Sequence, residues 1–255
     1  MAFSANAFVI DKVRRVTQFD LETGLVDWTM TSIENPTVEF TGESVEKTDA
    51  LGTLIAKFDT TKGVTFSGEG SLISAPLMAA QLGADVEVAS DTETVSGKLF
   101  EVLTVSDGTA TLTYEPSTTP SYCYSLTDDK NIDETIEIGA DDGDATLDGT
   151  TLTLPSDFDG TSVAIMYDYE TTSAVKITDS SSEFADAAGY IVDVLLADVC
   201  NVATKRAGYL VFPKAKIDNN FSIDLTTEGT HPFSFEALAD YCADDQQLCY
   251  WIINE

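Results

Sequence analysis

Basic side chains are scarce in this chain: 13 Lys and Arg stand against 44 Asp and Glu, a formal net charge of −31 over 255 residues. Such a chain cannot wrap nucleic acid, because the phosphate backbone carries a negative charge about every 1.7 Å and repels it. Histidine is scarcer still, with His231 alone. A Ser-His-Asp triad would need it as general base. It precedes Pro232 in an expected turn, however, and no Gly-x-Ser-x-Gly elbow accompanies it. The four cysteines (Cys123, Cys200, Cys242, Cys249) lie far apart and form no CxxC. Buried or free thiols are therefore expected rather than a thiolate metal set. Cys242 and Cys249 could pair only if the fold made them face each other. No apolar run of about 18 residues exists, so no transmembrane helix is expected. No basic start followed by an apolar run follows Met1, so no signal peptide is read and folding in a cytoplasm is expected.

What the chain does have is concentrated acid. Between Thr104 and Thr171 lie fifteen Asp and Glu against the single Lys130, including Asp128-Asp129, Asp133-Glu134 and Asp141-Asp142-Gly143-Asp144. The other 187 residues hold 29 acids and 12 bases. A surface of this sign keeps a protein soluble, and it could also line a path along which nucleic acid slides without sticking. With 43% hydrophobic and 22% charged residues, the chain reads as globular, one large domain or two small ones.

The periodicity is that of β-structure. Residues 37–41, 63–67 and 221–225 alternate apolar and polar side chains, which puts one face on a core. Residues 74–83 break the alternation. Ser74 can cap a helix, Pro76 suits its first turn and Gly83 its end, with Leu77, Met78 and Leu82 as the apolar stripe. A second short helix is expected at 237–241. Inside the acidic stretch, strands are expected at 109–114, 135–138, 151–154 and 162–167. Asp107-Gly108, Asp148-Gly149 and Asp159-Gly160 supply turns between them. This spacing suggests either a small sandwich, Ig-like in kind, or an elaborated set of hairpins at 105–171, inserted into a main β domain made of 1–104 and 172–255. The fold class expected is all-β, a sandwich or barrel with one short helix and a β-rich insertion.

No motif points to catalysis. Residues 67–72 (Ser-Gly-Glu-Gly-Ser-Leu) start like a phosphate loop but lack its third glycine and lysine, so the glycines are read as easing a tight turn. Residues 129–133 place oxygen ligands at alternating positions, yet Glu134 stands where a Ca²⁺ loop needs glycine. Carboxylate pairs are too abundant for any one to mark a glycosidase dyad. The expectation is a non-enzyme with no cofactor and no metal. The few bases cluster: Lys12, Arg14 and Arg15 near the N-terminus, and Lys205, Arg206, Lys214 and Lys216 around the apolar run 209–212. On so acidic a chain they are candidate contacts for acidic surface on a neighbouring copy; alternatively, they balance repulsion within one subunit.

Residues 208–217, 220–225 and 232–240, followed by an expected terminal hairpin through 248–253, resemble the late strands of the major tail tube proteins of tailed bacteriophages. The order strand, strand, Gly-rich turn, short helix in 37–83 is similar to the first half of that family. The resemblance covers about two thirds of the chain and leaves out the acidic insertion. It implies a virion component assembled in the host cytoplasm into stacked hexameric rings. It further implies a tail tube built with other tail proteins, whose lumen conducts DNA without specific binding, and no membrane partner. A capsid decoration or neck protein, or a secreted Ig-like adhesin module, would share the β-rich acidic character.

Overall fold

Val64, Phe66, Gly68 and Gly70 are buried while Gly63, Thr65, Ser67 and Glu69 between them are not, the signature of a strand with one face on a core. The structure, a computed structural model, describes residues 8–139, 144–199, 204–241 and 245–254. Strands are numbered in chain order: β1 (Phe8–Phe19), β2 (Val26–Met30), β3 (Ile33–Thr48), β4 (Leu54–Gly70), helix α1 (Ala75–Leu82) and β5 (Val86–Val88). Then come β6 (Val95–Thr104), β7 (Thr109–Thr111), β8 (Tyr122–Leu126), β9 (Ile132–Glu137), β10 (Thr146–Asp148), β11 (Thr151–Thr153), β12 (Ser162–Thr171) and β13 (Val175–Ile177). The chain closes with β14 (Ala187–Asp198), β15 (Lys205–Ile217), β16 (His231–Ala237) and β17 (Tyr250–Ile253). Two units result, one of Met1–Val86 with Ile177–Glu255 and one of Glu87–Lys176.

The first unit is an antiparallel sheet in the order β2-β1-β14-β15-β16-β4-β3. β16 and β17 occupy successive stretches of one edge of β15, at Ala215–Ile217 and Gly208–Val211. An aromatic group fills its core: Tyr190 stacks on Phe235 at 4.0 Å, Phe235 on Phe66 at 5.1 Å, and Phe212 meets Phe235 edge-on at 5.0 Å. Gly189 lies under the ring of Phe19, where a Cβ would come within 2.1 Å of it, so only glycine fits. Helix α1 starts at Ser74, whose Oγ accepts the Leu77 N–H, and ends at Gly83 in the left-handed region (φ +69°). Its buried side chains are Leu77, Ala79 and Gln81, so the polar Gln81 occupies the inward position one turn after Leu77 and Leu82 is only half-buried.

The second unit pairs a four-stranded sheet, β6-β12-β8-β9, with a three-stranded one, β10-β11-β7, around Val105, Leu112, Cys123, Ile136, Leu152, Val163 and Ile165. Its turns carry Gly108, Gly149 and Gly160 at positive φ, as the Asp-Gly pairs require. Burial pushes the Cys123 thiol up to about 11. Cys249 of the first unit is half-buried and also raised by burial, while Cys200 and Cys242 lie outside the described residues.

Several sequence expectations are corrected. The second unit begins at residue 87 rather than 105, because β6 pairs with β12 along its whole length, from Val95–Thr171 to Thr104–Ser162. Residues 221–225 form no strand: Asp218 Oδ1 accepts the Asn220 N–H and bends the chain after β15, and Leu225 is 93% exposed with no face to cover it. Residues 237–241 form no helix: Ala237 pairs with Ala215 as the end of β16, and the Leu238 N–H bonds to Lys214 O. The terminal segment is one strand on β15, not a hairpin. Nor does the 67–72 segment turn on its glycines. They belong to β4, where a Cβ on Gly70 would sit 2.9 Å from Met30 Sδ, so glycine serves close packing.

Candidate assembly surface

β3 and β4 form one long hairpin, closed by Asp49, whose Oδ1 accepts the Leu51 and Thr53 N–H groups at 2.9 and 2.8 Å. These bonds hold the exposed Asp49 carboxyl below its usual range. Near the base, Val38 faces Phe66 in the core. Farther out the same face continues with Phe40 opposite Val64, while beyond the bulge at Thr60, Val45 faces Phe58 on the side of Glu43; Phe40, Val45 and Phe58 are 62%, 58% and 59% exposed. The arm therefore carries uncovered apolar side chains on both of its faces, Phe40 on the core side and Val45 with Phe58 on the other, nearer the tip. A cavity of about 460 Å³ opens on the core side nearby, lined by Ile10, Val13, Ile33, Val38 and Trp251 among others.

The opposite face of β16, β4 and β3 is acidic. In register, Glu39, Thr65 and Glu236 form one row; Thr37, Ser67 and Ser234 the next; Glu34, Glu69 and Pro232 a third. Glu43 extends the charge along β3 opposite Thr61, and no Lys or Arg stands among these positions. Successive strands are ~4.8 Å apart, so Glu39 and Glu236, two strands apart, are separated by about 10 Å, and Glu34 and Glu69, on adjacent strands, by about 5 Å, near or within the Debye length at physiological salt. The face thus presents a continuous negative potential to anything near it.

The sequence-selected bases fall in two places. β1 and β15 both flank β14, and Lys12, Arg14, Arg15, Lys205 and Arg206 gather toward one end. Lys214 and Lys216 lie toward the other end of β15, about 30 Å away at ~3.3 Å per residue. The four C-terminal bases are therefore not one patch, contrary to the sequence reading. Arg15 and Arg14 reach the buried Asp193 Oδ2 at 3.3 and 4.0 Å, while Asp193 Oδ1 has no hydrogen-bond partner. Lys205 pairs with Asp11 at 3.1 Å and Lys214 with Asp240 at 3.8 Å; Arg206 is engaged as well. Lys12 and Lys216 join no ion pair among the described residues.

His231 is the first residue of β16 rather than part of a turn, and it is fully buried. Its Nδ1 accepts the Ser74 N–H at 3.2 Å, so the proton sits on Nε2 and is donated to Gln81 Oε1 at 2.8 Å. Gln81 Nε2 donates in turn to Pro232 O at 3.0 Å. Both ends of α1 are tied to β16 by a neutral imidazole, and burial lowers its pKa. The exposed arm and the buried Gln81–His231 pair escaped sequence reading; the sixteen- and seventeen-residue partner strands were the signal available for the first. Among the described residues no group of three His, Cys, Asp or Glu could hold a metal ion, and no helix is long and apolar enough to cross a membrane.

A nearly all-β chain with one acidic sheet face and an uncovered apolar arm is a structural protein of the phage tube class. The chain belongs to the YomU/Tube protein family, whose model matches residues 8–250. No curated protein matches it. Membership places it in the virion tail, among proteins that assemble with themselves and other virion components into a tube.

Proposed function

We propose that the chain is the repeating subunit of a phage tail tube, closing into stacked hexameric rings whose acidic lumen conducts DNA passively, without catalysis and without specific binding. The observation that carries this reading is the two-faced hairpin. Phe40 on one face and Val45 with Phe58 on the other are uncovered in a single subunit, and neighbouring copies supply cover for them. With Phe40 against one neighbour and the Val45–Phe58 tip against the next, Glu34, Glu39, Glu43, Glu69 and Glu236, on the face opposite Phe40, turn to the lumen. Repeated around an axis, their charge repels phosphate, so DNA passes without adhering. Head-to-tail contacts that close in the ring and continue along the axis give a tube of indefinite length. Negative-stain electron microscopy of the purified protein, alone and with tail proteins of the same phage, tests this. Rings or tubes with a central channel are expected, and a protein that stays monomeric at every salt and concentration and with those partners would sink the reading.

A further inference from the structure

The two ends of the β3–β4 hairpin fit one another. At the tip, Leu51 is 92% exposed, and Leu54 and Ile55 behind it are 51% and 62% exposed. Turns that end in water are dominated by small and polar residues, so three large aliphatic side chains within residues 51–55 mark a buried destination. The tip is also held in shape, since Asp49 Oδ1 accepts the Leu51 and Thr53 N–H groups. At the base, Ile33 and Val38 wall the cavity of about 460 Å³. Its floor is the core itself, at Phe66, Val192 and Leu210, and the exposed Ile10 and Lys12 of β1 form its rim. A void of ~150 Å³ takes one benzene-sized group, so this one has room for roughly three aliphatic side chains.

The chain cannot fill this cavity with its own tip. Val38 and Leu51 stand thirteen residues apart along a hairpin that stays paired, about 40 Å at ~3.3 Å per residue. Charge favours a second copy of the chain. Residues 41–62 carry Glu43, Glu46, Asp49 and Asp59 against Lys47, Lys57 and Lys62, so the arm holds −1 of the total −31 and approaches an acidic neighbour with little repulsion. Asp49 brings a carboxylate to the tip, and Lys12 stands at the rim with no ion pair among the described residues. A free apolar molecule would fill the cavity and leave the tip in water, whereas a second copy covers both. We infer that the hairpin tip of one subunit enters the cavity at the hairpin base of the next, Leu51 leading and Asp49 set against Lys12. Tip and cavity are different surfaces, so the contact is head-to-tail and leaves a free tip and a free cavity for further copies. It rests on the self-assembly of the subunit and names the surface that receives the arm.

Disulfide trapping between two full-length variants tests the contact. Protein carrying Leu51→Cys is mixed in turn with size-tagged protein carrying Ile10→Cys or Ile33→Cys and oxidised under assembly conditions. A disulfide forms only where the two Cα atoms come within about 7 Å, so a heterodimer linked through the introduced thiols, identified by mass spectrometry of the joined peptides, is expected from at least one pair. In the parent background, Leu51→Ser should raise the critical concentration for assembly about tenfold or more with an unchanged urea midpoint. Lys12→Glu should also weaken assembly, while Lys12→Arg should keep it. No heterodimer from either pair, or Leu51→Ser assembling like the parent, would overturn the inference. If rings or tubes still form in that case, the tube reading stands and only this contact falls. A parent protein that never assembles removes both.

Discussion

Replacing Phe40 and Phe58 with serine separates the stability of the subunit from that of the assembly. Both rings lie beyond the core, 62% and 59% exposed, so their loss should change the unfolding free energy of a single subunit by no more than ~0.5 kcal/mol each. In a tube the same rings are covered. A phenylalanine side chain offers ~200 Å², so about 120 Å² of each is open, worth about 3 kcal/mol per ring at ~25 cal/mol per Å². Covering half of that area gives about 1.5 kcal/mol per ring, so the two rings, on opposite faces of the arm, contribute about 3 kcal/mol per added subunit, or roughly a hundredfold in association constant. Sedimentation across a concentration series reads this directly. Phe40→Ser/Phe58→Ser should raise the critical concentration for tubes by about two orders of magnitude, with urea melts superimposable on those of the parent. Tubes at an unchanged critical concentration would refute the assignment of this arm to the contact. A collapsed urea midpoint would show that the arm belongs to the subunit core.

Three further outcomes follow from the geometry. Lys214→Glu/Lys216→Glu should weaken assembly and leave circular dichroism intact, since the Lys214–Asp240 pair at 3.8 Å is more than a third exposed and contributes less than ~1 kcal/mol. Fluorescence anisotropy with duplex DNA at low salt should show no binding by the parent protein, and binding abolished by the double reversal would make these lysines DNA ligands instead. Because burial lowers the His231 pKa below its unfolded value, the unfolded chain binds the extra proton first. Stability should then be complete above about pH 6.5 and decline as the pH falls below it, and His231→Gln should flatten Tm between about pH 7 and pH 5. Finally, the Ala89 N–H bonds to Ala174 O at 2.8 Å, so replacing residues 90–173 with a short Gly-Ser linker closes a small gap. The first unit should still unfold cooperatively, and loss of cooperativity would show that it needs the second.

The legible parts of the fold were those where one face is covered and the other is not. Residues 37–41 and 63–67 alternate cleanly and sit where β3 and β4 cross the core, and Ser74, Pro76 and Gly83 mark α1. β1 was invisible to the same rule. Its bulges, between Ile10 and Lys12 and between Val13 and Arg15, put Ile10, Val13 and Val16 opposite Leu196, Val194 and Val192. That spacing of three is foreign to a regular strand. Residues 221–225 failed in the opposite way, alternating with no sheet edge to pair. The hairpin arm was only half legible, because Phe40 and Phe58 report burial that a single chain does not provide. The Gln81–His231 pair was hidden because a glutamine at an inward helix position reads as an error until its partner, 150 residues away, is in place.

The chain leaves the first unit and returns to it through β5 and β13, which pair with each other as a two-stranded ribbon. Mechanically, this puts the second unit in parallel with the sheet rather than in series. Tension carried from β4 to β16 runs through their shared hydrogen bonds and never through residues 90–173. A pull applied to the second unit alone would instead part the short ribbon bond by bond, at low force. A load on the second unit would therefore first lengthen these two covalent tethers by opening the ribbon, and only then bear on the sheet.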